Sequence, residues 1–236
     1  MKVGQGIETD RGLWTFGGGV PDTFAEHVLK SVPFYGEGHE LICQLSDFFL
    51  STGSVVYDVG CSTGTLLGSL AAHNKRKPGI RFIGIDSTEE MAAAARANCS
   101  HLPEVEIICD DAVAHTYLKS DMIVAYYTAQ FVRESQRQAF FDRIYAALNW
   151  GGALVLFEKV GAPDSRFQDM MSGLYREFKQ RNGFSPDEIL NKELSLKGVL
   201  RPFSTEGNIG LLRRAGFVDY MTIMKYVCFE GFLAIK

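Results

Sequence analysis

The 236-residue sequence contains no CxxC pair and no two histidines at metal-ligand spacing, so a structural zinc site has no ligand set to form from. Its five cysteines, Cys43, Cys61, Cys99, Cys109 and Cys228, are odd in number, far apart and mostly set among apolar neighbours. That pattern argues for reduced thiols and against a disulfide framework. No apolar run reaches about 18 residues, and no charged N-terminal segment leads into an apolar stretch, so neither a membrane span nor an export signal is expected. The expected location is cytoplasmic. A basic tail or arm is missing too, and a net charge of -4 offers no broad field for nucleic acid. A small-molecule substrate is the expected partner.

What is present suffices for one sizeable core, with 46% apolar and 12% aromatic residues. The first twenty residues carry Gly4, Gly6, Gly12 and the triplet Gly17 to Gly19 beside Trp14 and Phe16, too many glycines for a continuous helix. They read either as a frayed terminus or as a lid whose aromatics close over a ligand. From Asp22 to Leu50 the apolar residues follow helical spacing broken at Pro33 and Gly36, which predicts two helices.

From Ser54 the period changes. Strands are predicted over Ser54 to Val59, Arg81 to Ile85, Val105 to Cys109, Met122 to Tyr126 and, after Trp150-Gly151-Gly152, Ala153 to Phe157. Helices are predicted over Thr65 to Asn74, Glu89 to Asn98 and Ser135 to Asn149. Such alternation implies α/β architecture with a parallel sheet covered on both faces. Asp164 to Gly183 reads as a helix, Ser185-Pro186-Asp187-Glu188 as the start of another, and Thr205 to Ala215 as a third stopped by Gly216. The alternating tail, Met221 to Phe229 and Gly231 to Ile235, predicts a closing antiparallel hairpin.

The chemistry concentrates at strand ends. In Val55-Val56-Tyr57-Asp58-Val59-Gly60-Cys61-Ser62-Thr63-Gly64-Thr65 an acidic residue ends the first strand before a GxxxG turn. Ligands of open α/β sheets bind outside that edge, where glycine admits close backbone approach. A phosphate-binding turn would read GxGxxG, and Asp58 would repel a pyrophosphate. Asp86 ends the second strand, where a carboxylate can accept from both ribose hydroxyls, and Asp110-Asp111 ends the third, where one can accept from an adenine amino group.

This order of acidic strand ends resembles the class I S-adenosylmethionine-dependent methyltransferases. The resemblance implies a Rossmann-like fold with a seven-stranded, mostly parallel sheet and an antiparallel C-terminal hairpin, and S-adenosylmethionine as cofactor or substrate. It implies cofactor contacts from Asp58, Gly60, Cys61, Ser62, Gly64, Asp86 with Ser87, and Asp110, Asp111 and Ala112. The expected organisation is an N-terminal lid and helices over 1–50 and one cofactor-binding domain over 51–236, with a helical insertion at about 164–200. That insertion carries enough apolar residues to cap the site or to form a homodimer surface.

A closer resemblance is to carboxy-S-adenosylmethionine synthases, which convert S-adenosylmethionine and prephenate into a carboxylated sulfonium. The matching pieces are Ser31-Val32-Pro33 with Tyr35, Tyr57 to Ser62, Gln130-Phe131, Arg137-Gln138, Gly151 to Leu156 with Glu158-Lys159, and Phe178-Lys179 with Asn182-Gly183. Tyr35 and Tyr126 thereby join the expected cofactor contacts. Three departures follow. The family's Lys-Arg pair, whose arginine holds the extra carboxylate, reads Lys192-Glu193, and a glutamate there would repel a carboxylate. Tyr126-Tyr127 stand for the family's Asn-Phe, and Tyr175 for a usual histidine.

With Phe131 and Phe178, the three tyrosines could cage a sulfonium, at about 0.5–2 kcal/mol per well-placed ring. These departures resemble azetidine-2-carboxylate synthases and favour intramolecular cyclisation of S-adenosylmethionine, with methylthioadenosine released and no co-substrate needed. Asn191 and Ser204 are then candidates for orienting the amine and carboxylate, and Arg201 for clamping the carboxylate. Small-molecule methyl transfer, with His115, His39 or Glu158 as base, is the main alternative. Carboxy-S-adenosylmethionine synthesis and a non-catalytic cofactor-binding protein are the others.

Overall fold

The computed structural model describes residues 1–236. The glycine run at the N-terminus ends at Gly19, whose φ of 86° starts α1 (Val20–Ser31), with Pro21 in the first turn. Pro33 and Phe34, the latter at φ 55°, then turn the chain into α2 (Tyr35–Phe49). Gly36, expected at the break, lies inside α2, because the turn is already complete at Phe34.

The β-branched runs and helical segments then alternate as β1 (Val55–Val59), α3 (Thr65–His73), β2 (Arg81–Asp86), α4 (Glu89–Asn98), β3 (Val105–Cys109), β4 (Ser120–Tyr126), α5 (Glu134–Ala147) and β5 (Leu148–Lys159). The last strand starts earlier than its sequence suggests. Leu148 already pairs with Ser120, and a register shift beyond it, with Gly151 at φ 78°, carries the Trp150-Gly151-Gly152 stretch within the strand. The helical pair α6 (Ser165–Arg181) and α7 (Pro186–Ser195) follows, each capped by its own sequence. Asp164 accepts from the amides of Arg166 and Phe167, and Ser185 and Glu188 form a capping box. The chain closes with α8 (Thr205–Ala215), β6 (Asp219–Tyr226) and β7 (Phe229–Ile235). The hairpin turns at Val227, φ 51°, so Phe229 belongs to the second strand rather than the first.

The seven strands lie in the order β3-β2-β1-β4-β5-β7-β6, parallel except for β7, which runs antiparallel to both β5 and β6. Alternate side chains feed two cores, one on each face. Val56, Met122 and Val124 pack with Ile42, Leu66 and Leu70, whereas Tyr57, Ile123 and Ala125 pack with Phe140, Phe141 and Ile144. The strand order reverses between β1 and β4, opening a crevice at their carboxyl ends. Residues 1–19 are not frayed: Val3, Ile7 and Trp14 pack with Val20 and Met91 as a third, smaller core beside that crevice. No helix is long and apolar enough to cross a membrane.

Candidate active site

A cavity of about 850 Å³ occupies the crevice. At the end of β1 the backbone turns at Gly60, φ 75°, whose N–H donates to Ile85 O at 2.7 Å; a Cβ there would overlap Thr128. The turn brings the Ser62 N–H to Asp86 Oδ2 at 2.9 Å, while Thr88 N–H takes Oδ1 at 2.9 Å. Both carboxylate oxygens keep a further lone pair for hydroxyl donors. Asp58 is buried on the cavity wall, and its Oδ1 has no hydrogen-bond partner. Burial, and then the charge of Asp86, push its carboxyl up to about 7. An orphaned acid in this state fits an incoming ammonium, which supplies both the missing donor and the missing charge.

Along the same edge, Cys61, Ser87 and Ala112 line the cavity. Asp110 is already engaged, its Oδ2 2.7 Å from His115 Nδ1. Asp111 uses only Oδ1, for the Val113 N–H at 2.8 Å, leaving Oδ2 as an acceptor on the cavity wall. Gly64 is not a wall residue; it shapes the turn, at φ 77°, where a Cβ would press on Ala95 and Cys99 at 3.1 Å.

Tyr35, His39, Tyr126 and Tyr127 form the next part of the wall. Their rings sit 4.7 to 6.3 Å apart, from the Tyr126–Tyr127 and Tyr35–His39 pairs to Tyr35–Tyr127. The Tyr126 hydroxyl donates to Tyr35 O at 2.7 Å, an approach open only because Gly38 has no Cβ. Tyr127 holds φ at 61° and its hydroxyl is buried without a partner. Burial raises the pKa of all three phenols, so they stay neutral. Phe131 also lines the cavity, edge-on to Phe16 at 5.0 Å.

Four sequence-based expectations need correction. Tyr175 lines the cavity, but its ring is already engaged by two cations in place of a sulfonium: Lys159 Nζ and Lys179 Nζ lie 4.4 and 4.5 Å from its ring centroid. Asn191 is turned to the N-terminal segment, its amide donating to Lys2 O at 2.9 Å. Ser204 caps α8 by accepting from Gly207 N–H at 3.1 Å. Arg201 pairs with Glu134 and donates to Gly198 O at 2.8 Å. None of these last three reaches the cavity wall.

What lies beyond the tyrosines has no local signal in the chain. Lys159 at the end of β5, Lys179 on α6 and Lys192 on α7 converge on the cavity, and no salt bridge or hydrogen bond holds any of their ammonium groups. Burial lowers the pKa of Lys159, takes Lys179 down to about 8 with help from the Lys159 charge, and takes Lys192 well down with help from Lys179. Lys192 rests on the Trp14 ring. On α1, His27 falls to about 3, by burial and then by Lys192 and Lys179. Glu193 also reaches the wall, but both its oxygens are held by Arg176, so its charge is compensated from outside the chamber.

A sheet with a reversed final strand, and acidic ends of β1, β2 and β3 around a cavity at the switch point, define an S-adenosylmethionine-dependent enzyme of the methyltransferase fold. A methyltransferase domain is matched over residues 56–152. Among solved structures, human N-acetylserotonin methyltransferase in complex with S-adenosylmethionine superposes with a TM-score of 0.62 at 16% identity, over 92% of this chain and 56% of that one. The S-adenosylmethionine-dependent methyltransferase SibL in its apo form gives 0.63 at 15% identity, over 98% and 63%. These likenesses establish the fold. Curated relatives are closer in sequence: the carboxy-S-adenosyl-L-methionine synthase of Staphylococcus epidermidis is 35% identical over 94% of this chain and 97% of its own length. That of Campylobacter lari is 35% identical over 94% of each. The chain belongs to the carboxy-S-adenosyl-L-methionine synthase family.

Proposed function

We propose that the chain carboxylates S-adenosylmethionine, using an anionic, carboxylate-bearing co-substrate seated on Lys159, Lys179 and Lys192. The observation that carries this reading is the lysine trio: three amine side chains that share one chamber beside the cofactor edge without a salt bridge, while Glu193, the carboxylate that attracts Lys159 and Lys179, is itself held by Arg176. Burying unpaired charge costs several kcal/mol unless a ligand compensates it. The cofactor's single carboxylate can meet only part of this set, whereas a dicarboxylate such as prephenate adds two negative charges, which favour the protonated form of all three amines. Cyclisation, favoured by the sequence, needs no second ligand and gives the trio no role. The supposed obstacle to carboxylation, Glu193, is neutralised by Arg176.

In this reading Asp58 takes the α-ammonium, Asp86 the ribose and Asp111 the adenine, while Tyr126, Tyr127 and Phe131 keep water from the sulfonium. The lysines orient the co-substrate's carboxylates. The bound sulfonium supplies an acidified methyl group, whose C–H bond is replaced by a C–C bond to the carbon dioxide given up by prephenate; prephenate also sheds its ring hydroxyl, and that hydroxide and the methyl proton leave as water. The segment ahead of α1 serves as the lid. Trp14 and Phe16 form part of the cavity wall, and Gly12 and Trp14 N–H groups donate to Leu194 and Ser195 carbonyls on α7 at 3.0 and 3.3 Å.

The test is product identification by mass after incubation with S-adenosylmethionine, with and without prephenate. A sulfonium heavier by the mass of carbon dioxide, formed only with both, supports carboxylation. Methylthioadenosine and an azetidine amino acid from S-adenosylmethionine alone would overturn it in favour of cyclisation.

A further inference from the structure

Tyr175 is the one aromatic residue of the chamber that touches two of its cations. The ammonium groups of Lys159 and Lys179 approach from different elements, the end of β5 and α6, and meet one ring at nearly equal distances, 4.4 and 4.5 Å from its centroid. Two like charges on one ring in a buried space repel one another, no hydrogen bond or salt bridge holds either, and Glu193, the carboxylate that attracts both, has its oxygens taken by Arg176. The negative face of an aromatic ring is the available attraction. The ring itself is fixed. Its hydroxyl donates to Ser31 O at the end of α1, 2.8 Å away, and Phe229 packs against it at 5.2 Å.

We propose that Tyr175 is a positioning residue that holds the Lys159 and Lys179 ammonium groups together, so that they take one anionic co-substrate as a pair. It sets where the cations stand and does not itself bind the sulfonium. This role rests on the anionic co-substrate proposed above. It assigns to the ring of Tyr175 a task that packing alone would not give it: the electron density of the ring matters, not only its shape.

Ring fluorination separates the two, because it drains the ring's negative face while barely changing its volume. Binding of prephenate is measured by calorimetry in the presence of S-adenosylhomocysteine, which blocks turnover, and binding of S-adenosylhomocysteine is measured alone. The proteins are the wild type, Tyr175→Phe, the same variant with one to three ring fluorines, and Tyr175→Leu. Tyr175→Phe should bind prephenate within a few-fold of wild type; each fluorine should weaken binding stepwise, and Tyr175→Leu should weaken it by about tenfold or more. S-Adenosylhomocysteine binding should stay level throughout. Equal prephenate affinity across the fluorinated series, or a parallel fall in S-adenosylhomocysteine affinity, would overturn the positioning role. A wild type that binds no prephenate at all would instead overturn the anionic co-substrate, and the role with it.

Discussion

Arg176 closes a fork on Glu193, its Nε and one terminal nitrogen each 2.9 Å from a different carboxylate oxygen. Both side chains are partly exposed, at 55% and 35%, so the pair contributes only about 0–1 kcal/mol to stability. Its effect is on the chamber behind it: the fork lowers the net repulsion an anion would meet from Glu193, and leaves the lysines to set the sign of the site.

Breaking the fork from one side should therefore weaken anion binding more than stability. Arg176→Ala leaves Glu193 uncompensated and should weaken prephenate binding by about three- to tenfold, with a small change in melting temperature. Arg176→Ala combined with Glu193→Gln should restore most of it. Calorimetric titration of the single and double variants checks this, and a double variant no better than the single one speaks against the charge argument.

Lys179 gives a pH signature. In the folded protein its pKa falls from the ordinary lysine value of 10.5 to about 8, chiefly by burial. Between those values the unfolded chain binds more protons, so the stability of the unliganded protein should rise as pH increases through this window. Below about pH 8 both states are protonated and the burial penalty is fully present. Lys179→Met should stabilise the unliganded protein at neutral pH by about 1–3 kcal/mol, flatten the rise and abolish prephenate-dependent turnover. Thermal melts from pH 7 to pH 10 show whether the rise is there.

Asp58 behaves in the opposite sense. Its carboxyl is held up to about 7 against an ordinary 3.8, so the folded state binds the extra proton and unliganded stability should fall as pH rises between those values. Asp58→Asn should remove that fall and weaken S-adenosylmethionine binding by about ten- to a hundredfold, because a charge-assisted bond to the ammonium is lost. Unchanged affinity would take Asp58 out of the cofactor site.

Gly38 and Tyr126 should behave as a unit. Gly38→Ala improves helix propensity by about 1 kcal/mol, yet overlap with the Tyr126 hydroxyl is overpacking that costs about 1–3 kcal/mol. A net loss of stability is expected, and Tyr126→Phe in the same chain should recover part of it. Chemical denaturation of the two variants decides the sign.

Much of this was legible in the sequence. The strands declared themselves through short β-branched runs, the turn after β1 through glycine spacing, and α7 through its capping serine and first-turn proline, all signals confined to a few neighbouring residues. The cofactor edge followed, because Asp58, Asp86 and Asp111 each end a recognisable strand. The lysine chamber did not. Lys159, Lys179 and Lys192 come from three elements, and each alone resembles a solvated charge; only their convergence, and the absence of partners, gives them meaning. Asn191, Ser204 and Arg201 misled for the converse reason. Polar type suggested ligand binding, but a helix cap and ties to nearby chain segments had already claimed them. Glu193 misled because its partner, Arg176, lies on another helix, 17 residues earlier in the chain.

The most direct test of carboxylation follows the hydrogens of the methyl group. S-Adenosylmethionine fully deuterated at the sulfonium methyl is incubated with enzyme and prephenate, and the products are weighed. Carboxylation should yield a carboxylated sulfonium that has lost one deuterium, since a C–C bond replaces one C–D bond. Methylthioadenosine or a methylated acceptor carrying the methyl group with every deuterium retained, and no carboxylated sulfonium beside it, would contradict the account.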